Sequence, residues 1–138
     1  MINIYLDDIR HPISSYNYTK DERYISLEWI IVRNYKEFIN CVKENDVDNI
    51  NFISFDHDLS EEHYDLVGKT DYLSFEEYYN NPDREMTGYD CAKWLCDYCY
   101  DNNYKFPYYL IHSWNMTGSK NIRTYINNFL KFNPELKK

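Results

Sequence analysis

The chain has 138 residues, enough for one domain whose core needs no disulfide or metal staples. Hydrophobic residues make up 43% and charged residues 28%, so it reads as globular rather than disordered. The formal charge of −8 argues against nonspecific binding to a nucleic-acid backbone, but a local basic pocket or a metal still permits a small anionic nucleotide ligand.

No stretch is long and apolar enough to span a membrane, and the N-terminus lacks the pattern of a signal peptide. Cys41, Cys91, Cys96 and Cys99 read as reduced thiols of a cytoplasmic protein, because the Cys96-x-x-Cys99 spacing has no second pair to complete a zinc site. Nothing in the sequence sets an oligomeric state.

Ile2 to Leu6 is a short apolar run that ends at two aspartates, the pattern of a buried strand with a polar C-terminal end. His11 to Glu28 is polar and tyrosine-rich and reads as a loop or small hairpin. Trp29 to Val32 is a second, β-branched strand. Asn34 with Glu37 forms a capping-box pattern, and Tyr35, Phe38, Ile39 and Val42 then repeat on one helical face. Ile50 to Phe55 is the third strand, again ending in acids.

Residues 59 to 86 form an acidic insertion in which Ser74 and Glu77 suit a short helix start and His63 reads as a surface residue. A connection this long is usually functional, often a lid or binding loop. Thr87 with Asp90 is a second capping box, followed by a face of Cys91, Leu95 and Tyr98. Tyr108 to Ile111 is the fourth strand. Ser119 suits the N-cap of a last helix with a face of Ile122, Tyr125, Ile126, Phe129 and Leu130. The alternation predicts an α/β fold: a mostly parallel sheet of about four strands with three main helices.

Three of these strands end in polar sequence, and ligands of open α/β sheets bind beyond carboxyl strand ends. The first supplies Asp7, Asp8 and Arg10, the third Asp56, His57 and Asp58, and the fourth His112, Ser113 and Asn115. Two carboxylates about 5 Å apart repel by roughly 3 kcal/mol at an effective dielectric near 20, so such a rim needs a counter-charge. A divalent metal meets that need: Mg²⁺ with oxygen ligands, or Mn²⁺ if a histidine ligates. Arg10 and Arg33 offer a metal-free alternative. His57, between two acids, favours its protonated form. Gly118 ahead of a helix start, with Asn115, Ser119 and Lys120, suits a cradle for phosphate.

At these residues a resemblance appears. Leu6-Asp7-Asp8-Ile9-Arg10 with Pro12, Val32-Arg33-Asn34-Tyr35, Ile53-Ser54-Phe55-Asp56-His57-Asp58-Leu59, Thr87-Gly88-Tyr89-Asp90-Cys91-Ala92, and His112-Ser113 with Asn115 and Gly118 together resemble the cyclic-phosphate-processing receiver-like family of bacterial and phage conflict systems. The resemblance covers nearly the whole chain, the insertion least. It implies a receiver-like, flavodoxin-type three-layer fold and a sensor or hydrolase of nucleotides carrying a cyclic phosphate. Against ordinary phosphorelay receivers, Asp7 and Asp8 match the Mg²⁺-binding acidic pair, and Asp56 or Asp58 falls near the phosphoacceptor. The usual lysine after the last strand is absent, and His112 stands at a comparable strand end.

Three functions follow. In the first, a cyclic phosphodiester hydrolase, Asp7, Asp8 and Asp58 hold a metal and His112, His57 and Asp56 act catalytically. Arg10, Arg33, Ser113, Asn115 and Lys120 bind the ligand. In the second, the same pocket senses or sequesters a cyclic nucleotide without cleaving it, with Trp114 and tyrosines stacking on a base. In the third, Asp56 or Asp58 accepts a phosphoryl group.

Overall fold

A computed structural model describes residues 1–60 and 85–138. The insertion expected at 59–86, with its Ser74–Glu77 helix start and His63, lies almost wholly outside the described residues.

Four strands form one parallel sheet in the order β2-β1-β3-β4: β1 (Ile2–Leu6), β2 (Ile30–Val32), β3 (Ile50–Phe55) and β4 (Tyr108–Ile111). The chain crosses from β1 outward to β2, then returns past β1 to β3. The switch in strand order therefore falls between β1 and β3, where flavodoxin-type folds bind ligands.

The register decides the rest. Leu6 pairs with Val32 and with Phe55, and Phe55 pairs with Ile111. The last residues of all four strands thus stand level. The hydrogen-bond ladder runs one residue further: Asp7 N–H donates to Val32, Asp56 N–H to Leu6 and His112 N–H to Phe55. Asp7, Asp56 and His112 are therefore consecutive members of one row along the carboxyl edge of the sheet.

Side chains alternate between the two faces. Ile4, Leu6, Ile53 and Phe55 join the main core with Phe38 of α3 (Tyr35–Asn45), Leu95 of α4 (Gly88–Asn102), and Ile122 and Ile126 of α5 (Met116–Phe132). Cys91, Cys96 and Cys99 are buried in this core as apolar fillers, and burial pushes the Cys99 thiol up to about 12. Tyr98, expected on the buried face of α4, is only partly buried. Both expected caps form: Asn34 Oδ1 accepts from Glu37 N–H, and Thr87 and Asp90 make a reciprocal capping box.

The opposite face is different in kind. Tyr5, Ser54 and His112 point toward α1 (Pro12–Thr19) and α2 (Arg23–Ser26). The stretch expected to be a loop or hairpin is thus two short helices. Pro12 occupies the first turn of α1, where a missing N–H costs nothing, and Lys20 ends it in the left-handed region at φ 60°. Its polar, tyrosine-rich composition hides the helix because this face is held by hydroxyl hydrogen bonds and rings rather than by an aliphatic stripe.

Candidate active site

Asp7 follows β1 and is fully buried, and both of its carboxylate oxygens have hydrogen-bond donors. Its Oδ1 accepts from the backbone N–H of Ile9 (3.0 Å) and Arg10 (2.8 Å). Its Oδ2 faces Arg10 Nε at 3.0 Å and His112 Nε2 at 3.1 Å. Burial alone would raise this carboxyl, but the hydrogen bonds from His112, Arg10 and Ile9 outweigh it and hold the group at about 2.

Asp56 follows β3 one strand away, and its environment is the reverse. Its Oδ1 accepts from the His57 N–H at 2.9 Å and lies 3.4 Å from Arg10 Nη2. Its Oδ2 is buried and, among the described residues, has no hydrogen-bond partner. Burial first, then the Asp7 charge, pushes this carboxyl up to about 8; Arg10 opposes the rise only in part. Near neutral pH Asp56 therefore keeps a proton unless a cation replaces it.

His112 closes the row. Burial lowers its pKa against the pull of Asp7, so the ring is neutral. Its Nδ1 lies 2.7 Å from Ser54 Oγ, which lies 2.6 Å from Tyr24 Oη. Tyr24 is pushed up to about 12 by burial and keeps its proton. One donor order satisfies every member: Tyr24 O–H to Ser54, Ser54 O–H to His112 Nδ1, and His112 Nε2–H to Asp7. The Tyr5 ring stacks on His112 at 4.3 Å and 8°, covering a face. Tyr5, Tyr24 and Ser54 were not singled out in the sequence. The one signal for Ser54 is its place in the alternation, two residues before Asp56 on the same face of β3.

A second cluster adjoins the first. His57 Nδ1 meets Asp58 Oδ1 at 2.9 Å, and Asn115 Nδ2 donates to the same oxygen at 3.2 Å. This segment is clamped between the starts of α4 and α5. Gly88 N–H donates to His57 O at 2.8 Å, and a Cβ on Gly88 would fall 1.6 Å from Asp56 O. A Cβ on Gly118 would fall 2.4 Å from the His57 ring. Both positions require glycine for close approach, not for an unusual φ.

The other expected residues have different surroundings. Arg33 Nη1 donates to the carbonyls of Asp7 (3.1 Å) and Arg10 (2.7 Å), so Arg33 braces the loop after β1. The expected N-cap of α5 is displaced by one turn: Asn115, not Ser119, caps it, with Oδ1 accepting from Gly118 N–H at 2.9 Å. The Gly118 N–H that suited a phosphate cradle is thereby taken. Ser119 Oγ instead donates to Ser113 O, and Ser113 Oγ accepts from Asn115 N–H. Lys120 is exposed on the wall of a groove outside the buried row.

Asp7, Asp56 and His112 each offer a ligand atom, all within 4.8 Å of one another, a donor set able to hold a metal ion. The orphaned Asp56 oxygen fits such a use, since a buried carboxyl oxygen without a partner costs about 1–3 kcal/mol. Of the metal ligands expected from sequence, Asp7 stands in this set; Asp8 is half-buried outside it and Asp58 is engaged by His57 and Asn115.

Compared with known families, residues 2–128 match the model of the cyclic-phosphate processing receiver domain. The chain belongs to that family. The parallel four-stranded sheet with acids at the carboxyl edge is the receiver-like, flavodoxin-type arrangement, and the membership carries a role connected with cyclic phosphates. No curated protein and no solved structure matched the chain. Among the described residues, no helix of this receiver domain is long and apolar enough to cross a membrane.

Proposed function

We propose that this receiver domain hydrolyses a nucleotide carrying a cyclic phosphate. The observation that carries the reading is the pairing, on one row, of Asp7, whose two oxygens have several donors, with Asp56, whose buried Oδ2 has none among the described residues, with Arg10 between them. Such a pair is a poor resting ion network and a good place for a divalent cation, which suits Mg²⁺ or, with an imidazole ligand, Mn²⁺. Asp7 and Asp56 would hold it, joined by His112 if its Nε2 exchanges the Asp7 hydrogen bond for the ion, and when bound it would polarise a phosphoryl oxygen and activate water.

The residues of the chain do the remainder. Arg10 neutralises phosphate charge, since its guanidinium already sits at the mouth between both carboxyls. Before a cation binds, His112 fixes Asp7, because its two nitrogens bond Ser54 and Asp7. His57 donates its backbone N–H to Asp56, and its ring is packed against Gly118 and Asp58. The oxygen of a water bonds to phosphorus, one ring P–O bond breaks, and one proton of that water ends on the departing oxygen. The product is a phosphomonoester. In a phage–host setting this reaction would counter a nucleotide second messenger. The buried free thiols suit a reducing, cytoplasmic location.

Incubation with a panel of cyclic mono- and dinucleotides plus Mg²⁺ or Mn²⁺ tests this reading. Phosphomonoester product, lost with chelator and with Asp56→Asn, is expected; no turnover across the panel would sink it. Binding of the cation at pH 7 should also release about one proton per ion, the one Asp56 holds, measured by calorimetry in buffers of different ionisation heats. A second reading, capture without cleavage, is favoured by the full commitment of both His112 nitrogens, and recovery of intact ligand after binding would establish it.

A further inference from the structure

A groove of about 510 Å³ lies beside the buried row, walled by Tyr18 of α1, Ser113, and Thr117, Ser119, Lys120 and Arg123 of α5. Its volume is in the range of small-ligand sites. Three features separate it from an ordinary solvated face.

The first is charge. Lys120 and Arg123 stand one helical turn apart, so they repel each other. Among the described residues neither has a carboxylate within ion-pair distance, in a chain whose formal charge is −8. The second is a line of aromatic surface. Trp114 is 62% exposed and Tyr18 53% exposed, and their rings meet at 5.6 Å. Exposed rings of this size next to a polar site are stacking platforms for bases. The third is continuity. Arg10 touches both Asp7 and Asp56 and lies 4.8 Å over the Trp114 ring. Trp114 meets Tyr18, and Tyr18 walls the groove. Arg10, partly exposed above the buried acids, Trp114 and Tyr18 thus form a continuous line to the groove of the basic pair.

We propose that this groove is a second subsite for the same ligand. It holds a phosphate one nucleoside away from the phosphate at Asp7 and Asp56, with the intervening base on Trp114 and Tyr18. The ligand class is then a dinucleotide, two phosphates on a compact frame, rather than a cyclic mononucleotide. A long polynucleotide is disfavoured because only two cations line the groove and the rest of the chain is strongly acidic. The capped start of α5 takes no part, so the anion is met by side chains.

The inference rests on the cyclic-phosphate reading of the neighbouring site, and binding separates the two. Affinities of the intact chain for a cyclic dinucleotide and a 3′,5′-cyclic mononucleotide are measured by calorimetry and by quenching of tryptophan fluorescence. The dinucleotide should bind at least about tenfold tighter, and the doubly substituted Lys120→Ala, Arg123→Ala protein should lose that preference while the mononucleotide changes by less than about twofold. Both side chains are exposed, so the fold is unaffected. The salt dependence of dinucleotide binding should flatten in the same variant. Equal affinities, no binding of either ligand, a preference that survives the double substitution, or tighter binding of a ten-nucleotide RNA with a terminal cyclic phosphate overturns the subsite. If the preference is found but the ligand comes back uncleaved, the subsite stands and the hydrolysis reading fails.

Discussion

The loops after β1 and β3 each place one buried aspartate on the same row of the same sheet, and the two behave oppositely. Asp7 has two backbone N–H donors, an arginine and a histidine, and stays ionised down to about 2. Asp56 has one backbone donor and a longer contact to the same arginine, and keeps its proton up to about 8. Neither side chain is exposed; the donors aimed at Asp7 outweigh its burial, whereas at Asp56 deeper burial and the neighbouring Asp7 charge prevail over fewer donors. One loop is a finished anion site; the other is left short of a counter-charge, the arrangement expected where a ligand or cation supplies it.

The largest test of this contrast is Asp7→Ala. It strips four donors of their acceptor and leaves Arg10 beside Asp56 alone. A loss of about 4 kcal/mol is expected in urea unfolding, in line with breaking a buried ion pair. A loss below about 1 kcal/mol would mean that the loop after β1 does not depend on its carboxylate.

Next in size is Gly88→Ala, which attacks the other loop. The added Cβ would overlap the Asp56 carbonyl, so the start of α4 must withdraw from β3. About 3 kcal/mol should be lost, and the Asp56 titration should move toward the ordinary carboxylate range as water enters. An unchanged melting temperature would show that the close approach is not needed.

The finest test is pH. Asp7 titrates below its unfolded value, so its contribution is present above about pH 4 and disappears as pH falls toward 2. Asp56 titrates above its unfolded value, so its contribution is full below about pH 4 and is lost as pH rises toward 8. Without added metal, stability should therefore decline from pH 5 to pH 8. Asp56→Asn, a neutral mimic of the protonated acid, should flatten that slope and gain about 1 kcal/mol at pH 9. A wild-type profile already flat over this window would refute the raised Asp56 value.

The legible parts of the molecule share a cause. Ile2–Leu6, Ile50–Phe55 and Tyr108–Ile111 are apolar runs, and the helix faces of Phe38, Val42, Ile122 and Ile126 are aliphatic stripes, so local composition suffices to reveal them. The same holds for the caps at Asn34 and Thr87, where donor and acceptor lie three residues apart. The α1 and α2 helices are not visible in local composition because their partners, Tyr5 of β1, Ser54 of β3 and His112 just after β4, come from distant parts of the chain. Spacing alone points to Ser119 as the cap, but Asn115, four residues earlier, caps the helix and also meets Asp58.

By itself, then, the sequence determined the order of the strands and of the three longer helices, the parallel sheet, and polar residues at three strand ends with acids at two of them, all properties of short windows of chain. Only the tertiary structure decided what those acids are. The level register made Asp7, Asp56 and His112 neighbours, while Arg33 meets the carbonyls of the loop after β1 and His57 meets Asp58. It also left one oxygen of Asp56 without a partner. A carboxyl's charge depends on which donors reach it from distant parts of the chain, and that information exists only once the strands are aligned.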